Sequence, residues 1–340
     1  MPAPLLLTAT ACGFDKSPTP PVLVLQASVL AATAGGLWLV SRWRDRVPLR
    51  FGVMALAVLI FQLFTAPMWN NDHLGPWAYL YRDVSWVLTL LWSTLFLVGV
   101  EGIDRLLPRW RAWKRFAFAL LLITLVALPI ELLLVRLGVR SYAPEVLQAV
   151  GPWRLAGVPL EFLYYVPVFA ALVLGFYRYW CFVIDDALLI PQLRIHWWRG
   201  IGLTTLAVLL FELMVEPMVE NRGFPAWSML HRDVSLVMSG VWVLVIALTA
   251  ALVARFGACL PIALRFLLAL AIATAIALPI EYGLVVAGMR MYGPSASANF
   301  SGVTLPLLAA PVEIAFAIPC YLALVIAFIR YWDLVLDNHL

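Results

Sequence analysis

The sequence predicts an all-α, polytopic membrane protein with about nine transmembrane helices, arranged as one extra helix followed by two tandem four-helix repeats. Apolar residues make up 64% of the 340 residues, charged residues only 12%, and the mean hydropathy is +0.95. This composition is unlike that of soluble domains, and many apolar runs are long enough to cross a hydrocarbon layer of roughly 30 Å. An internal repeat at a spacing of about 150 residues sets the order of the helices.

Apolar runs between charged or Pro/Gly-rich breaks predict each span in turn. Residues 1–50 form an N-terminal segment with one span, near 22–41, that has no later counterpart. The first repeat, 51–200, holds predicted spans near 51–66, 84–101, 116–137 and 157–177. The second repeat, 201–340, holds spans near 201–216, 234–254, 266–287 and 306–328. Since each repeat has an even number of helices, both copies enter the membrane from the same side.

The repeated residues are mostly polar, in a chain where charge is scarce. Residues 61–83 and 211–233 are closely similar, and both stretches lead into the letters Arg-Asp-Val-Ser at 82–85 and 232–235. The recurring pairs are Trp77 and Trp227, Arg82 and Arg232, Asp83 and Asp233, Glu131 and Glu281, Arg140 and Arg290, Tyr142 and Tyr292, and Glu161 and Glu313. We therefore interpret them as candidate functional residues.

The distribution of Lys and Arg predicts the topology, because cytoplasmic loops retain positive charge. With the N-terminus outside, 15 of the 23 Lys and Arg residues lie in inner segments and eight in outer segments. We expect an N-terminus outside and a cytoplasmic C-terminus, in a bacterial inner membrane. The net charge of +4 belongs to the inner belt and requires no nucleic-acid partner.

On this topology the repeated charges share one depth, near the outer interface. Each repeat brings two arginines and three carboxylates there, so ion pairing leaves one acid over. The second repeat adds Glu212 and Glu216, where the first has Gln62 and Ala66. Carboxylates paired with arginines often only hold helices together. An unpaired carboxyl at low dielectric tends instead to be protonated, and it can then serve as a proton donor. Both readings remain open at this point.

Missing residue types exclude several membrane chemistries. The only lysines, Lys16 and Lys114, lie outside the predicted spans, which excludes a retinal Schiff base. The four histidines lie in loops or at the terminus, which argues against haem or a di-iron centre. The four cysteines, Cys12, Cys181, Cys259 and Cys320, show no paired spacing and predict free thiols without structural zinc. We find no phosphate loop and no nucleophile elbow, and we expect no cofactor and no metal.

Three Pro-x-Glu motifs resemble those of a known family. At Pro129-Ile130-Glu131, Pro159-Leu160-Glu161 and Pro311-Val312-Glu313 the chain is similar to the small membrane-embedded lycopene cyclases, which are built from duplicated or paired helical modules and carry Pro-x-Glu-Glu motifs. Phe162 and Ile314 stand here in place of the second glutamate. The resemblance implies acid-promoted ring closure of a polyene without net redox change.

The sequence therefore predicts an enzyme that protonates an isoprenoid or other lipophilic membrane substrate for cyclisation or isomerisation. The candidate acids are Glu131, Glu161, Glu281 and Glu313, with Asp83 and Asp233 as partners or bases. We expect Arg82, Arg140, Arg232 and Arg290 to set their pKa values, and Trp77, Trp227, Tyr142 and Tyr292 to line the mouth of a cavity between the repeats. A proton-coupled transporter and a non-catalytic lipid-binding scaffold remain alternatives, and the sequence leaves the oligomeric state open.

Overall fold

The computed structural model describes residues 15–151, 153–155, 158–187, 196–298, 300–305 and 311–338. Within these ranges, nine helices are long and apolar enough to cross a membrane, which confirms an all-α integral membrane protein. They are α1 (Pro20–Ser41), α2 (Val47–Thr65), α3 (Trp86–Leu106), α4 (Ala112–Arg136), α6 (Leu160–Ile184), α7 (Trp197–Val215), α8 (Leu236–Phe256), α9 (Ile262–Val286) and α11 (Val312–Asp337). Two short helices, α5 (Pro144–Ala149) and α10 (Pro294–Ala298), lie between them.

The two repeats have the same order of elements. Helices α2, α3, α4 and α6 of the first repeat correspond to α7, α8, α9 and α11 of the second. Helix α1 packs against α2 and α3 of the first repeat. Helices α2 and α7 begin at Val47 and Trp197, four residues before each predicted repeat boundary. Of the cysteines, Cys181, Cys259 and Cys320 are free, and Cys12 lies outside the described residues.

Short antiparallel strand pairs join the helices at one end of the bundle, which we name the hairpin end. Strand β1 (Trp69–Asn71) pairs with β4 (Arg140–Tyr142), and β7 (Val219–Asn221) pairs with β10 (Arg290–Tyr292). The remaining pairs are β2 (Tyr79–Tyr81) with β3 (Val84–Ser85), β5 (Arg154–Leu155) with β6 (Val158–Pro159), and β8 (Met229–His231) with β9 (Val234–Ser235). The sequence analysis did not predict these strands, because two- and three-residue segments carry no periodicity.

The opposite end of the bundle, which we name the arginine end, carries an ion-pair network in the first repeat. Glu101 is fully buried there. It pairs with Arg44 and Arg50 and accepts a hydrogen bond from the Tyr177 hydroxyl. Because these charges neutralise one another, they can lie inside the bundle at the ends of the helices.

Helices α6 and α11 form the central pair between the two repeats. Both extend well past the ends predicted for them at residues 177 and 328, since α6 ends at Ile184 and α11 at Asp337. Arg178, which was expected to lie beyond the span, is inside α6 and pairs with Asp104. At the crossing of α6 and α11, a Cβ atom on Gly175 would lie 2.8 Å from a ring carbon of Phe328 and 3.0 Å from its Cα. The backbone of α6 at Gly175 is therefore packed directly against Phe328 of α11, with no room for a side chain at this position.

Candidate functional site

At the hairpin end, a glycine turn brings Glu131, Arg140 and Tyr142 together. Helix α4 ends in a turn where Gly138 has φ of +71° and the Val139 N–H donates to the Leu134 carbonyl over 2.9 Å. The chain then reverses into β4, where alternate residues share one face. As a result, Arg140 Nε lies 3.2 Å from Glu131 Oε1, and the Tyr142 hydroxyl donates to the same oxygen over 3.4 Å.

The second repeat builds the same cluster with shorter contacts. Gly288 has φ of +68°, and β10 returns over α9. Arg290 Nε donates to Glu281 Oε1 over 2.7 Å, and the Tyr292 hydroxyl donates to the same oxygen over 2.7 Å. Arg290 also donates to Asn221 Oδ1 over 3.0 Å. Glu131 and Glu281, two of the sequence-predicted acids, are therefore both ion-paired with the arginines predicted to accompany them.

Asp83 follows a turn in which Arg82 has φ of +49°, and the equivalent Arg232 has φ of +42°. The Asn71 side chain fixes this turn by donating to the Asp83 carbonyl over 2.8 Å. The Asp83 carboxyl is buried, and neither of its oxygens is hydrogen-bonded to another residue in the described part of the chain. Burial raises the pKa of Asp83 to about 7. Asp233 is half-buried, and burial also raises its pKa.

Glu161 and Glu313 lie at the first turns of α6 and α11. Glu161 Oε1 accepts a hydrogen bond from the Gly151 N–H over 2.8 Å. Glu313 Oε1 accepts one from the Ser301 N–H over 2.6 Å and contacts the Tyr81 hydroxyl at 3.4 Å. The second oxygen of each carboxyl is buried without a hydrogen bond from any described residue. Tyr81 belongs to the first repeat, so Glu313 is shared between the two halves.

A cavity of about 110 Å³, which we name the acid cavity, lies at this junction of the repeats. Three carboxylates line it, Glu212, Glu281 and Glu313, together with Arg82 and Arg290. The first repeat contributes α2 and β2 to its wall, and the second contributes α7, α8, α9, β10 and α11. Its aromatic lining is Phe64, Tyr81, Phe211, Trp242, Tyr292, Phe300, Phe316 and Tyr321.

Of the three acids that line this cavity, only Glu281 is ion-paired in the described part of the chain. Glu313 accepts a hydrogen bond from the Ser301 N–H instead, and Glu212 lies inside helix α7 without an ion pair to any described Lys, Arg or His residue. Its carboxyl is hydrogen-bonded to the Ser239 hydroxyl. The Tyr321 ring lies beside it in the wall, and the Tyr321 hydroxyl is buried without a hydrogen-bond partner in the described ranges. The ring centroid of Tyr321 is 4.2 Å from that of Phe211 and 6.1 Å from that of Trp242. A carboxyl group without an ion pair and several aromatic ring faces thus border the same space.

The first repeat has only a reduced form of this cavity, about 40 Å³ in volume. It is lined by Glu131, Arg140 and Tyr142, but Gln62 stands at the position of Glu212. The Gln62 Oε1 atom accepts a hydrogen bond from the Thr89 hydroxyl over 3.3 Å. The acid at this position of the cavity, Glu212, is therefore present in the second repeat and replaced by an amide in the first.

The other sequence-predicted residues lie outside both cavities. Trp77 and Trp227 are 52% and 74% exposed at the hairpin end, and neither lines either cavity. Asp83, Asp233, Glu161 and Arg232 are also absent from the two linings, and Arg232 lies 4.0 Å from Glu216. The residues that line the two cavities are thus the Glu-Arg-Tyr groups of the two repeats together with Arg82 and Glu313, and the tryptophans lie at the periphery.

Sequence reasoning singled out Glu212 only as an extra charge and missed Ser239 and Tyr321. The comparison of Glu212 with Gln62 was the signal that could have found the acid. Tyr321 gives no such signal, because it lies inside an apolar run of α11 where an aromatic residue ordinarily packs.

No family model, curated protein or solved structure matches this chain, so its assignment rests on the geometry of the site.

Proposed function

We propose that this chain is an integral membrane enzyme that protonates a lipophilic polyene of the isoprenoid class and thereby drives its cyclisation or isomerisation. The observation that carries the proposal is the position of Glu212, a carboxyl without an ion pair that borders an aromatic cavity between the two repeats. Burial disfavours the ionised form of such a group, so it holds a proton that it can donate.

The reaction needs no redox partner. The Glu212 carboxyl gives its proton to one carbon of a terminal double bond, and the cation forms on the other carbon. For cyclisation, a second double bond of the substrate attacks the cation and forms the ring bond. Loss of a proton from a neighbouring carbon to a carboxylate regenerates the double bond, so the product is an isomer of the substrate. For simple isomerisation the ring-forming step is absent.

The aromatic wall supplies the stabilisation that the cation requires. The faces of Tyr321, Phe211 and Trp242 can attract a cation through their π systems, and this attraction strengthens in a site shielded from water. Glu281 is ion-paired with Arg290 and accepts a hydrogen bond from Tyr292, so this pair is neutral overall and adds no net charge to the cavity. Glu313, with one oxygen lacking a hydrogen bond from any described residue, is our candidate for the base that removes the final proton.

The size of the acid cavity sets what part of the substrate enters. Its 110 Å³ is below the roughly 300 Å³ typical of pockets that enclose a whole small ligand. We propose that only the reacting end group enters and that the remaining apolar chain stays in the lipid. We further propose that the hairpin end faces the outside of a bacterial inner membrane, with the arginine end in the cytoplasm, because the arginine end carries most of the Lys and Arg residues.

Expression of the chain in cells that accumulate linear polyenes, followed by chromatography and mass spectrometry of the extracted lipids, tests the proposal. We expect a product of unchanged mass and altered retention. Glu212→Gln, which places in the second repeat the residue found in the first, should reduce product at least a hundredfold. Glu220→Gln is the matched control, because Glu220 is a half-exposed glutamate at the same end that pairs with Arg222; it should leave turnover unchanged.

Three outcomes contradict the assignment. Full activity of Glu212→Gln at normal protein yield would remove the proposed donor. Absence of any isomerised polyene, combined with proton-dependent uptake of a substrate into vesicles containing the purified chain, would make the protein a transporter. If Glu212→Gln lowers only the yield of folded protein, and no product forms with the unmodified chain, the acids serve as a scaffold.

A further inference from the structure

A second cavity, of about 400 Å³, lies inside the second repeat at the arginine end, and we name it the arginine-end cavity. Its walls come mainly from α7, α8, α9 and α11, and Tyr179 of α6 also lines it. None of the acids assigned above lines it, and no residue is shared with the acid cavity. Its function is therefore independent of the proposed polyene chemistry.

The internal repeat shows what normally fills this space. In the first repeat, the corresponding region holds the buried network in which Arg50 lies 3.6 Å from Glu101, and Arg178 donates to Asp104 over 2.8 Å. Leu97 and Val100 pack there with no exposed surface. In the second repeat, smaller residues stand at the matching positions: Gly200 for Arg50, Ala247 for Leu97, Ala250 for Val100 and Ala254 for Asp104.

We expect the space left by these smaller residues to be occupied by another molecule. Protein interiors are packed about as densely as organic crystals, so a cavity of this volume within a helix bundle is ordinarily filled by a ligand, lipid or water. Its wall along α8 runs from Ile246 to Ala254, which is about 12 Å of helix axis. Most of that wall is apolar, so filling the cavity with water alone would be unfavourable and an apolar occupant would be more stable there.

The charges at one end of the cavity define the chemistry of the occupant. Arg199, Arg265 and Arg330 line it, and Asp333 is the single carboxylate in the lining. Arg199 also pairs with Asp337 just outside the lining, and Arg265 Nε donates to the Leu260 carbonyl over 2.7 Å. Arg199 Nε lies 3.5 Å from Asp333 Oδ1 without forming a hydrogen bond, and Arg330 is 3.8 Å from the other Asp333 oxygen. Guanidinium groups are well suited to phosphate oxygens, because they present paired N–H donors in a planar fork. An apolar channel that ends in three arginines matches a molecule with an acyl chain and an anionic head.

We propose that the arginine-end cavity binds one anionic phospholipid from the leaflet at that end, with its phosphate between Arg199, Arg265 and Arg330 and part of an acyl chain along Ala247 and Ala250. Depth favours a membrane lipid over a soluble anion, because the arginines lie at the ends of the spanning helices, where lipid head groups are found.

The test is native mass spectrometry of the full chain in detergent, with phosphatidylglycerol or phosphatidylcholine of identical acyl chains added. We expect one phosphatidylglycerol to be retained with at least tenfold preference. Ala247→Leu combined with Ala250→Val, which restores the side chains of the first repeat, should lower that retention at least tenfold. Arg199→Gln combined with Arg330→Gln should do the same without altering the apolar wall. The control Arg109→Gln removes an exposed arginine at the same end and should change nothing.

Equal retention of the two lipids by the unmodified chain would overturn the proposal, and so would full retention of phosphatidylglycerol by the folded Ala247→Leu/Ala250→Val variant. Size-exclusion chromatography identifies variants that fail to fold. If both double variants fail, the unmodified chain still decides: its thermal midpoint should rise with phosphatidylglycerol and not with phosphatidylcholine. A rise produced equally by inorganic phosphate alone would show a soluble-anion site and would contradict the lipid assignment.

Discussion

Burial, rather than distance, should decide how much the two ion pairs at the hairpin end of the second repeat contribute to stability. Glu281 and Arg290 are joined over 2.7 Å with side chains only 5% and 12% exposed. Glu220 and Arg222 are joined over 2.6 Å, with side chains 37% and 57% exposed. The two pairs have nearly the same separation and differ mainly in solvent access, so double-mutant cycles on both form a matched experiment.

Of the four single changes to Gln, at Glu281, Arg290, Glu220 and Arg222, the two in the buried pair should be the more destabilising, and Arg290→Gln illustrates the reason. It removes the Nε–H donor to Glu281, whose other carboxyl oxygen is already buried without a hydrogen bond from any described residue. An uncompensated buried charge costs about 3–5 kcal/mol. Adding Glu281→Gln should recover most of that loss, because the remaining side chain is neutral and can still accept a hydrogen bond from Tyr292. For Glu220 and Arg222 the coupling should be about 0.2–1 kcal/mol.

Equilibrium unfolding in mixed micelles, followed by far-ultraviolet circular dichroism, measures both cycles. Raising the ionic strength should weaken the Glu220–Arg222 coupling and leave the Glu281–Arg290 coupling nearly unchanged, since exposed charges are screened and buried ones are screened much less. A Glu281–Arg290 coupling no larger than that of the exposed pair would refute the reasoning, because the cluster would then be hydrated.

Two further predictions concern packing and protonation. Gly175→Ala should destabilise the protein by about 1–3 kcal/mol in the same assay, because the added Cβ meets the Phe328 backbone at the α6–α11 crossing. The control is Gly240→Ala, where no atom lies within 4 Å of the added Cβ; it should be neutral or stabilise the protein by up to about 1 kcal/mol. Equal effects of the two substitutions would contradict the close crossing. Asp83 should make the protein less stable as pH rises from about 4 to about 7. Burial raises its folded pKa to about 7 from a reference of 3.8, so over that interval only the folded state holds the proton. In Asp83→Asn, the free energy of unfolding should vary with pH over that interval by up to about 4 kcal/mol less than in the unmodified protein. Asp233→Asn should change the pH dependence less. An unchanged pH profile in Asp83→Asn would show that Asp83 is not the group that titrates.

The sequence was sufficient for the helical architecture because the bilayer imposes a strong and local constraint. A spanning helix needs about 20 apolar residues, so composition and run length reveal it without knowledge of its neighbours. The ends of α6 and α11 were predicted too early because Arg178 and Arg330 suggested helix exits. Their charges are met by Asp104 and Asp333 inside the bundle, and such pairing depends on distant parts of the chain.

The repeat also pointed to the right region of the site, although it did not separate paired from unpaired acids. Glu131, Glu281 and their arginines recur in the sequence, and the structure joins them through the turns at Gly138 and Gly288. The sequence could not show which acids lack an ion pair, because ion pairing depends on which side chains lie close together in the folded chain. Glu212 is not repeated, since Gln62 stands at the matching position of the first repeat. It nevertheless borders the acid cavity without an ion pair to any described cation.

By itself the sequence determined the membrane-spanning class, the duplication and the set of polar residues that accompany it, since each follows from local hydropathy or from direct comparison of two stretches of one chain. Only the tertiary structure decided that the acid cavity forms where the two repeats meet, that Glu313 contacts Tyr81 of the first repeat, and that Trp77 and Trp227 lie on the surface. The physical reason is that the size of a cavity and the neutralisation of a charge are set by the side chains of several helices at once. Residues far apart in the chain determine them together, and no single segment records the outcome.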